Sequence, residues 1–184
     1  SFYSYAHVPW LKGNGQRGFQ DEDIPQNDTK RELYELGKKM LLEMGYIEIG
    51  MDHFALPTDE MYLAFKNKTL HRNFMGYTAS KTELMIGLGV SSISDSWNSF
   101  AQNEKSLETY YQKINSNNLP VFRGHHLTSE DVVIRQHILN LMCHFETNWN
   151  DESTYFTEIY DVLDSLYEMQ LDGLLYIENK KLIV

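Results

Sequence analysis

Along this chain the apolar positions alternate between a period of two and a period near 3.6, the pattern of strands interleaved with helices. Residues 2–8, Phe-Tyr-Ser-Tyr-Ala-His-Val, read as a strand, and residues 12–28, rich in Gly, Asp and Asn, as a loop long enough to carry function. A helix follows, capped by Asn27 or Asp28, with Leu33, Leu36, Met40 and Met44 on one face and Gly45 as its stop. Residues 46–50 alternate as a strand and end in Gly50, ahead of Met51, Asp52, His53 and Phe54. Thr58 can cap a short helix reaching about Lys66, and after the loop at residues 70–80 a further strand is predicted over residues 86–94.

Residues 102–116 carry Leu107, Tyr110, Tyr111 and Ile114 at helical spacing, and the Asn-rich break behind them suggests a boundary. Thr128 then caps a well-specified helix, with Glu130 and Asp131 in its positive first turn and Leu127 placed to staple onto Val132. Its expected buried stripe is Ile134, Ile138, Leu141, Met142 and Phe145. Residues 153–171 line up Tyr155, Ile159, Val162, Leu166 and Met169 before Gly173, and residues 173–184 read as a hairpin. Strands alternating with helices predict a parallel α/β sheet, too short to close the barrel of about eight strands, so a partial barrel is expected. Two helices followed by a hairpin predict a mainly helical, winged-helix-like end. Both termini read as cut, which predicts a longer parent.

Composition narrows the class without changing the elements. With 184 residues, 42% of them apolar, the chain can bury a core, and it has no low-complexity segment. No apolar run reaches the roughly 20 residues of a membrane-spanning helix, and no signal segment opens the chain, so no membrane partner and a cytoplasmic location are expected. The net charge of -10 argues against nucleic acid, whose affinity comes mostly from Lys and Arg at phosphates. It also favours a structural over a DNA-reading role for the winged-helix-like end. Cys143 is alone and set in a helical apolar pattern, where a buried inert thiol is expected.

Candidate chemistry gathers at strand ends, because ligands of parallel α/β folds bind beyond the carboxyl ends of the strands. Three such ends carry unusual residues: residues 5–9, residues 51–54, and residues 89–94. Asp52 beside His53 is open to reading as a proton relay, a metal site, or a self-satisfied loop. The seven histidines include no i, i+4 pair around a Glu of the zinc-hydrolase type. His137 and His144, seven apart on one helix, read as satisfied or solvent-edge side chains. His125 and His126 point oppositely if extended. The Gly-Leu-Gly-Val-Ser-Ser stretch lacks a nucleophile elbow and is only a weak nucleotide signature. His71–Thr78 combines a cation, an amide, aromatics and a glycine, which suits a binding loop or an ordinary connection equally.

The stretches YAHVPW, GYIEIGMDHFALPTDE, LHRNFMGYT, GLGVSSIS, FAQNEKSLETYY, PVFRGHHLTSEDVVIRQHIL and LMCHF, taken in order, resemble the C-terminal half of oxygen-independent coproporphyrinogen III oxidases, radical S-adenosylmethionine (SAM) enzymes of haem biosynthesis. Related haem chaperones typically carry a different wording at MDHFA and lack the HRNF loop, so Asp52, His53 and Phe74 favour the oxidase. The alternative is a non-catalytic haem- or porphyrin-binding paralogue.

The resemblance implies an α/β architecture: residues 1–118 as the last strands of the partial parallel (β/α) radical-SAM barrel, and residues 119–184 as a truncated helical and hairpin C-terminal domain. It implies, for the parent protein, oxidative decarboxylation of two propionates of coproporphyrinogen III to vinyls, giving protoporphyrinogen IX, with SAM, a [4Fe-4S] cluster and an electron donor. The C-x-x-x-C-x-x-C motif that holds the cluster in the family is absent here, so these residues alone are expected to hold no cluster and to be inactive. Ala6 and Ile93 resemble positions that lie against SAM. Phe74 and Met75 resemble positions associated with a second SAM near the active site, where Gln is expected in place of Met75. Gln136 stands where a second Arg is usual after Arg135. The metal-ligand set expected from this chain is empty.

Overall fold

A computed structural model describes residues 1–10, 15–16, 18–156 and 159–184. It is an α/β chain in two compact units, residues 1–63 and 64–184, whose border falls within a short helix. The expected loop at residues 12–28 and the start of the last long helix therefore lie partly outside the described residues.

In the first unit a 3-10 turn at Asp21–Asp23 leads to α1 (Asn27–Glu43). Gln26, and neither Asn27 nor Asp28, occupies the cap position, with no side-chain bond to the helix. Gly45 takes φ +86°, the left-handed conformation that ends helices. The stripe Leu33, Leu36, Met40 and Met44 is exposed. β1 (Ile47–Gly50) turns straight back into β2 (His53–Ala55). Met51 and Asp52, at φ +41° and +63°, form the two-residue connection with both residues left-handed, the turn whose twist matches antiparallel strands. The unit packs Phe2 between Phe54 and Tyr34, with ring centroids 5.7 and 5.1 Å away, and Ile49 of β1 is fully buried.

The second unit begins inside α2 (Glu60–Lys66), where the Asp59 carboxylate, in place of Thr58, accepts from the N–H of Met61. β3 (His71–Asn73) and β4 (Gly76–Thr78) make a hairpin of the expected 70–80 loop. β5 (Leu84–Met85), β6 (Ile93–Ser96), β7 (Ser99–Asn103) and β8 (Val121–His126) form a four-stranded sheet in that order, with α3 (Leu107–Asn115) between β7 and β8. α4 (Ser129–His144) carries a reciprocal cap: Thr128 Oγ1 accepts from Asp131 N–H at 3.1 Å, and Asp131 Oδ2 accepts from Thr128 N–H at 2.9 Å. β9 (Glu146–Asn148), a 3-10 turn at Glu152–Thr154, α5 (Ile159–Leu171), β10 (Tyr176–Glu178) and β11 (Lys181–Ile183) complete the chain. The sheet order β10-β11-β9 encloses Trp149, Ile159 and Leu182, against which Leu141, Phe156 and Leu166 pack.

Several expectations change. All ladders among the described residues are antiparallel, and residues 2–8 form no strand, although Phe2 N–H donates to the Asp52 carbonyl at 3.3 Å. A two-residue turn forces an antiparallel neighbour, whereas a parallel one needs a crossover, and here short hairpins win. The strand expected at residues 86–94 is mostly loop, because Gly89 (φ +98°) and Ser91 (φ +63°) break the extended run. The helix expected from residue 102 starts five residues later, after β7, with the Ser106 hydroxyl capping it. On α4 the buried side chains are His137 and Cys143, while Ile138 is 55% exposed.

Candidate functional site

Phe74 and Met75 form the tip of the β3–β4 hairpin, between the paired Asn73 and Gly76. Asn73 Oδ1 accepts from Met75 N–H at 2.8 Å, and Gly76 at φ +123° supplies a conformation that a Cβ would oppose. Met75 is 86% exposed. Phe74 meets Phe100 edge-on at 5.0 Å, and the Arg135 guanidinium lies 4.9 Å from the Phe100 centroid and 4.8 Å from that of Trp97. The tip thus rests on an aromatic and cationic shelf built by β7 and α4. Arg135 is itself fixed: it bonds the buried Asp95 carboxylate through both oxygens at 2.9 Å and the carbonyls of Ser96 and Trp97 at 3.2 and 3.1 Å.

Ile93 opens β6, half-buried, opposite Gln102. The loop before it is closely built. A Cβ on Gly87 would come within 2.7 Å of the Ile93 carbonyl oxygen, so only glycine lets the two backbone segments approach. The buried Asn103 amide donates to the carbonyls of Gly87 and Gly89 at 3.0 and 2.9 Å, and Ser94 Oγ accepts from Gly87 N–H at 3.0 Å.

Ala6 lies in the other unit, exposed, with its carbonyl accepting from Gln16 Nε2 at 3.1 Å. Gln16 clamps the segment further: its Oε1 accepts from Val8 N–H at 2.6 Å and its carbonyl accepts from His7 Nε2 at 2.9 Å. The other ring nitrogen of His7 meets Asp21 at 2.5 Å, and the ring stacks on Phe19 at 4.7 Å. A carbonyl and a carboxylate both want an N–H, which only the imidazolium provides, and the bond to Asp21 first and the Gln16 carbonyl second raise the His7 pKa. His7 and Asp21 face a cleft of about 760 Å³ whose walls include Tyr3, Tyr5 and Tyr34.

Asp52 and His53 do not form a relay. The Tyr34 hydroxyl bonds Asp52, and this bond, with burial, pushes the Tyr34 phenol up to about 12. His53 Nδ1 donates to the Met51 carbonyl at 2.7 Å, and its Nε2 faces the Tyr3 hydroxyl at 3.4 Å. Each partner holds the turn in place. His137 is likewise satisfied, between Thr147 Oγ1 and the Thr154 carbonyl, both at 2.7 Å. Cys143 is buried, and burial pushes its thiol up to about 11. Among the described residues no three of His, Cys, Asp or Glu converge as a metal would require.

No family model matches the chain. Over 98% of its length it is 36% identical to the oxygen-independent coproporphyrinogen III oxidase of Escherichia coli (strain K12), covering 40% of that protein. The enzyme of the same name from Synechocystis sp. is 35% identical over 94% of the chain and 39% of its own length. A solved structure described as coproporphyrinogen III oxidase from Escherichia coli, a radical SAM enzyme, superposes with a TM-score of 0.89 at 34% identity, covering 98% of this chain and 42% of that one. The chain is a homologue of part of these oxidases. It spans about two fifths of the length of the curated oxidases it matches. The oxidase-like wording MDHFA is thus the hairpin β1–β2, and HRNF is the hairpin β3–β4.

Residue types alone did not reveal three of the elements that build these surfaces. Asp95 in the Ile-Ser-Asp-Ser strand, Asn103 at the end of β7, and Gln16 are polar residues whose partners lie 40, 14 to 16, and 8 to 10 positions away. A charge at a strand position between apolar and small residues was the available sign for Asp95. Nothing in the sequence marks Asn103 or Gln16.

Proposed function

We propose that this chain is the C-terminal portion of an oxygen-independent coproporphyrinogen III oxidase, which converts two propionates of coproporphyrinogen III to vinyls and yields protoporphyrinogen IX. The near-complete superposition on a radical SAM coproporphyrinogen oxidase, at 34% identity, is the observation that carries this reading. SAM, a [4Fe-4S] cluster and an external electron donor belong to the whole protein on this account. In this reading residues 1–118 belong to the barrel domain, and α4, β9, α5 and the β10–β11 hairpin form a winged-helix-like C-terminal domain of residues 119–184.

The cluster does not fit the residues present. Cys143 is buried, burial raises its thiol, and no second cysteine exists, so no step is assigned to the cluster here and the 184 residues alone are inactive. SAM is a better match to the residue types: the exposed methyl of Ala6 and, taken separately in the second unit, the half-buried Ile93 are small or flat apolar groups of the kind such a ligand packs on. When bound, SAM supplies the radical chemistry that removes a propionate hydrogen.

The chain's own contribution is positioning. Asn103 and Gly87 hold the loop that delivers Ile93, and Gln16 holds the segment that carries Ala6. Arg135 and Phe100 support Phe74, with Met75 presented at the exposed hairpin tip toward a second SAM. Fixed geometry at such contacts matters because small displacements of a reacting group cost large factors in rate. The sequence encoded upstream of Ser1 tests the reading at once: a C-x-x-x-C-x-x-C motif there supports it, and its absence defeats the enzymatic reading.

A further inference from the structure

The second unit holds a cavity of about 290 Å³ between the start of β3 and one flank of α4, and among the described residues no carboxylate lines it. Its polar walls include His71, Lys81, His144, Gln136 and Asn140 beside Thr69, whose hydroxyl donates to the Ala64 carbonyl at 3.4 Å, with the Trp97 indole as the flat side. Lys68 also reaches the wall, but Glu146 engages its ammonium at 2.6 Å. Gln136 and Asn140 bond each other at 2.7 Å, and the Asn140 amide donates onward to Thr147. These two amides are therefore already used.

The remaining groups are different. The Lys81 ammonium lies 4.5 Å from the Trp97 centroid, and among the described residues no ion pair engages it. His144 Nδ1 is buried with no hydrogen-bond partner, an arrangement uncommon enough in native proteins to call for an explanation. His71 is 8% exposed, and burial first, then the cations of Lys81 and Arg135, push its imidazole pKa down. Of the carboxylates around it, Asp95 is already spanned by Arg135 and Glu146 by Lys68 and Lys181. The Lys81 ammonium and the imidazoles of His71 and His144 thus belong to the lining of one recess too small for a large ligand.

We propose that this cavity binds a small oxyanion, a carboxylate or phosphate group, between the Lys81 ammonium and the imidazoles of His71 and His144. An anion there would accept the charge-assisted bond that Lys81 has not spent, and a small turn of the His144 ring would bring its unpartnered nitrogen to the same ligand. The site shares no residue with Ala6, Phe74, Met75 or Ile93, and it does not depend on the function proposed above.

The test is titration of the protein with sodium phosphate and, separately, sodium propionate, at ionic strength held constant with sodium chloride. The readouts are the imidazole NMR signals of His71 and His144 and the thermal midpoint. At least one anion is expected to shift both imidazoles saturably, with affinity about tenfold weaker in Lys81→Met, an exposed position whose change leaves the fold intact. His144→Phe is expected to raise the thermal midpoint of the anion-free protein and to remove the anion-dependent gain. A response to phosphate alone assigns a phosphate ligand, and a response to propionate alone assigns a carboxylate ligand; either supports the site. No saturable shift with either anion, or an unchanged response in both variants, overturns it and leaves a buried water as the partner of His144.

Discussion

Arg135 on α4 and Asp95 on β6 form an ion pair in which one guanidinium nitrogen reaches both carboxylate oxygens at 2.9 Å, while the other bonds two backbone carbonyls. Asp95 is 8% exposed, so removing the arginine strands a buried carboxylate. Arg135→Met should therefore destabilise the fold by about 3 kcal/mol or more, measured by urea unfolding, because breaking a buried pair costs more than the pair contributes. A loss within the scatter of ordinary surface substitutions would show that Asp95 is solvated.

Gly87→Ala places a methyl carbon 2.7 Å from a backbone oxygen of Ile93, and backbone cannot swing aside as a side-chain tip does. The expected cost is about 1–3 kcal/mol of stability, with displacement of the loop that carries Ile93. Unfolding midpoints check the first effect. In the whole protein, weakened SAM binding by calorimetry checks the second.

Glu146 is bonded by Lys181 at 2.8 Å and Lys68 at 2.6 Å, and these bonds hold its carboxyl down at about 2. A depressed folded pKa gives stability that is complete above the ordinary value of 4.5 and fades as pH falls toward about 2. Glu146→Gln should flatten this part of the acid limb of a stability-against-pH curve, modestly because the group is partly solvated. An unchanged acid limb would contradict the pairing.

His7 has the opposite sign. Its folded pKa is raised by Asp21, so the stability it contributes is complete below the ordinary value of 6.5 and is lost as pH rises through the raised folded value. His7→Gln should remove a decline in thermal midpoint that begins as pH rises past about 6.5. Persistence of that decline in the variant would place its origin elsewhere.

Met75 is 86% exposed, so Met75→Gln should leave stability unchanged within about 0.5 kcal/mol. In the whole protein the same change should keep or raise activity, since it restores an amide at the expected second-SAM position. A large loss in the rate of coproporphyrinogen consumption would show that the thioether itself is used.

Local instructions in the sequence were the legible part. The Thr128 cap, the stop at Gly45, the hairpin of the last residues and the inert Cys143 each rest on neighbours in sequence or on one property of a residue. Strand direction was not legible: an apolar alternation at residues 47–50 suits a parallel and an antiparallel neighbour alike, and the two left-handed residues Met51 and Asp52 carry no Asn-Gly wording to announce the turn. Asn103 and Gln16 escaped notice because their roles exist only once distant carbonyls are brought to them. The candidate residues came from the order of motifs, while their supports came from the fold.

The central claim is tested most directly by anaerobic turnover of the whole protein with coproporphyrinogen III, SAM and a low-potential reductant, followed by chromatography of the oxidised porphyrins. The account predicts protoporphyrin as the product, with turnover lowered by Phe74→Ala. A cluster-loaded protein that binds SAM yet leaves coproporphyrinogen unchanged would contradict it.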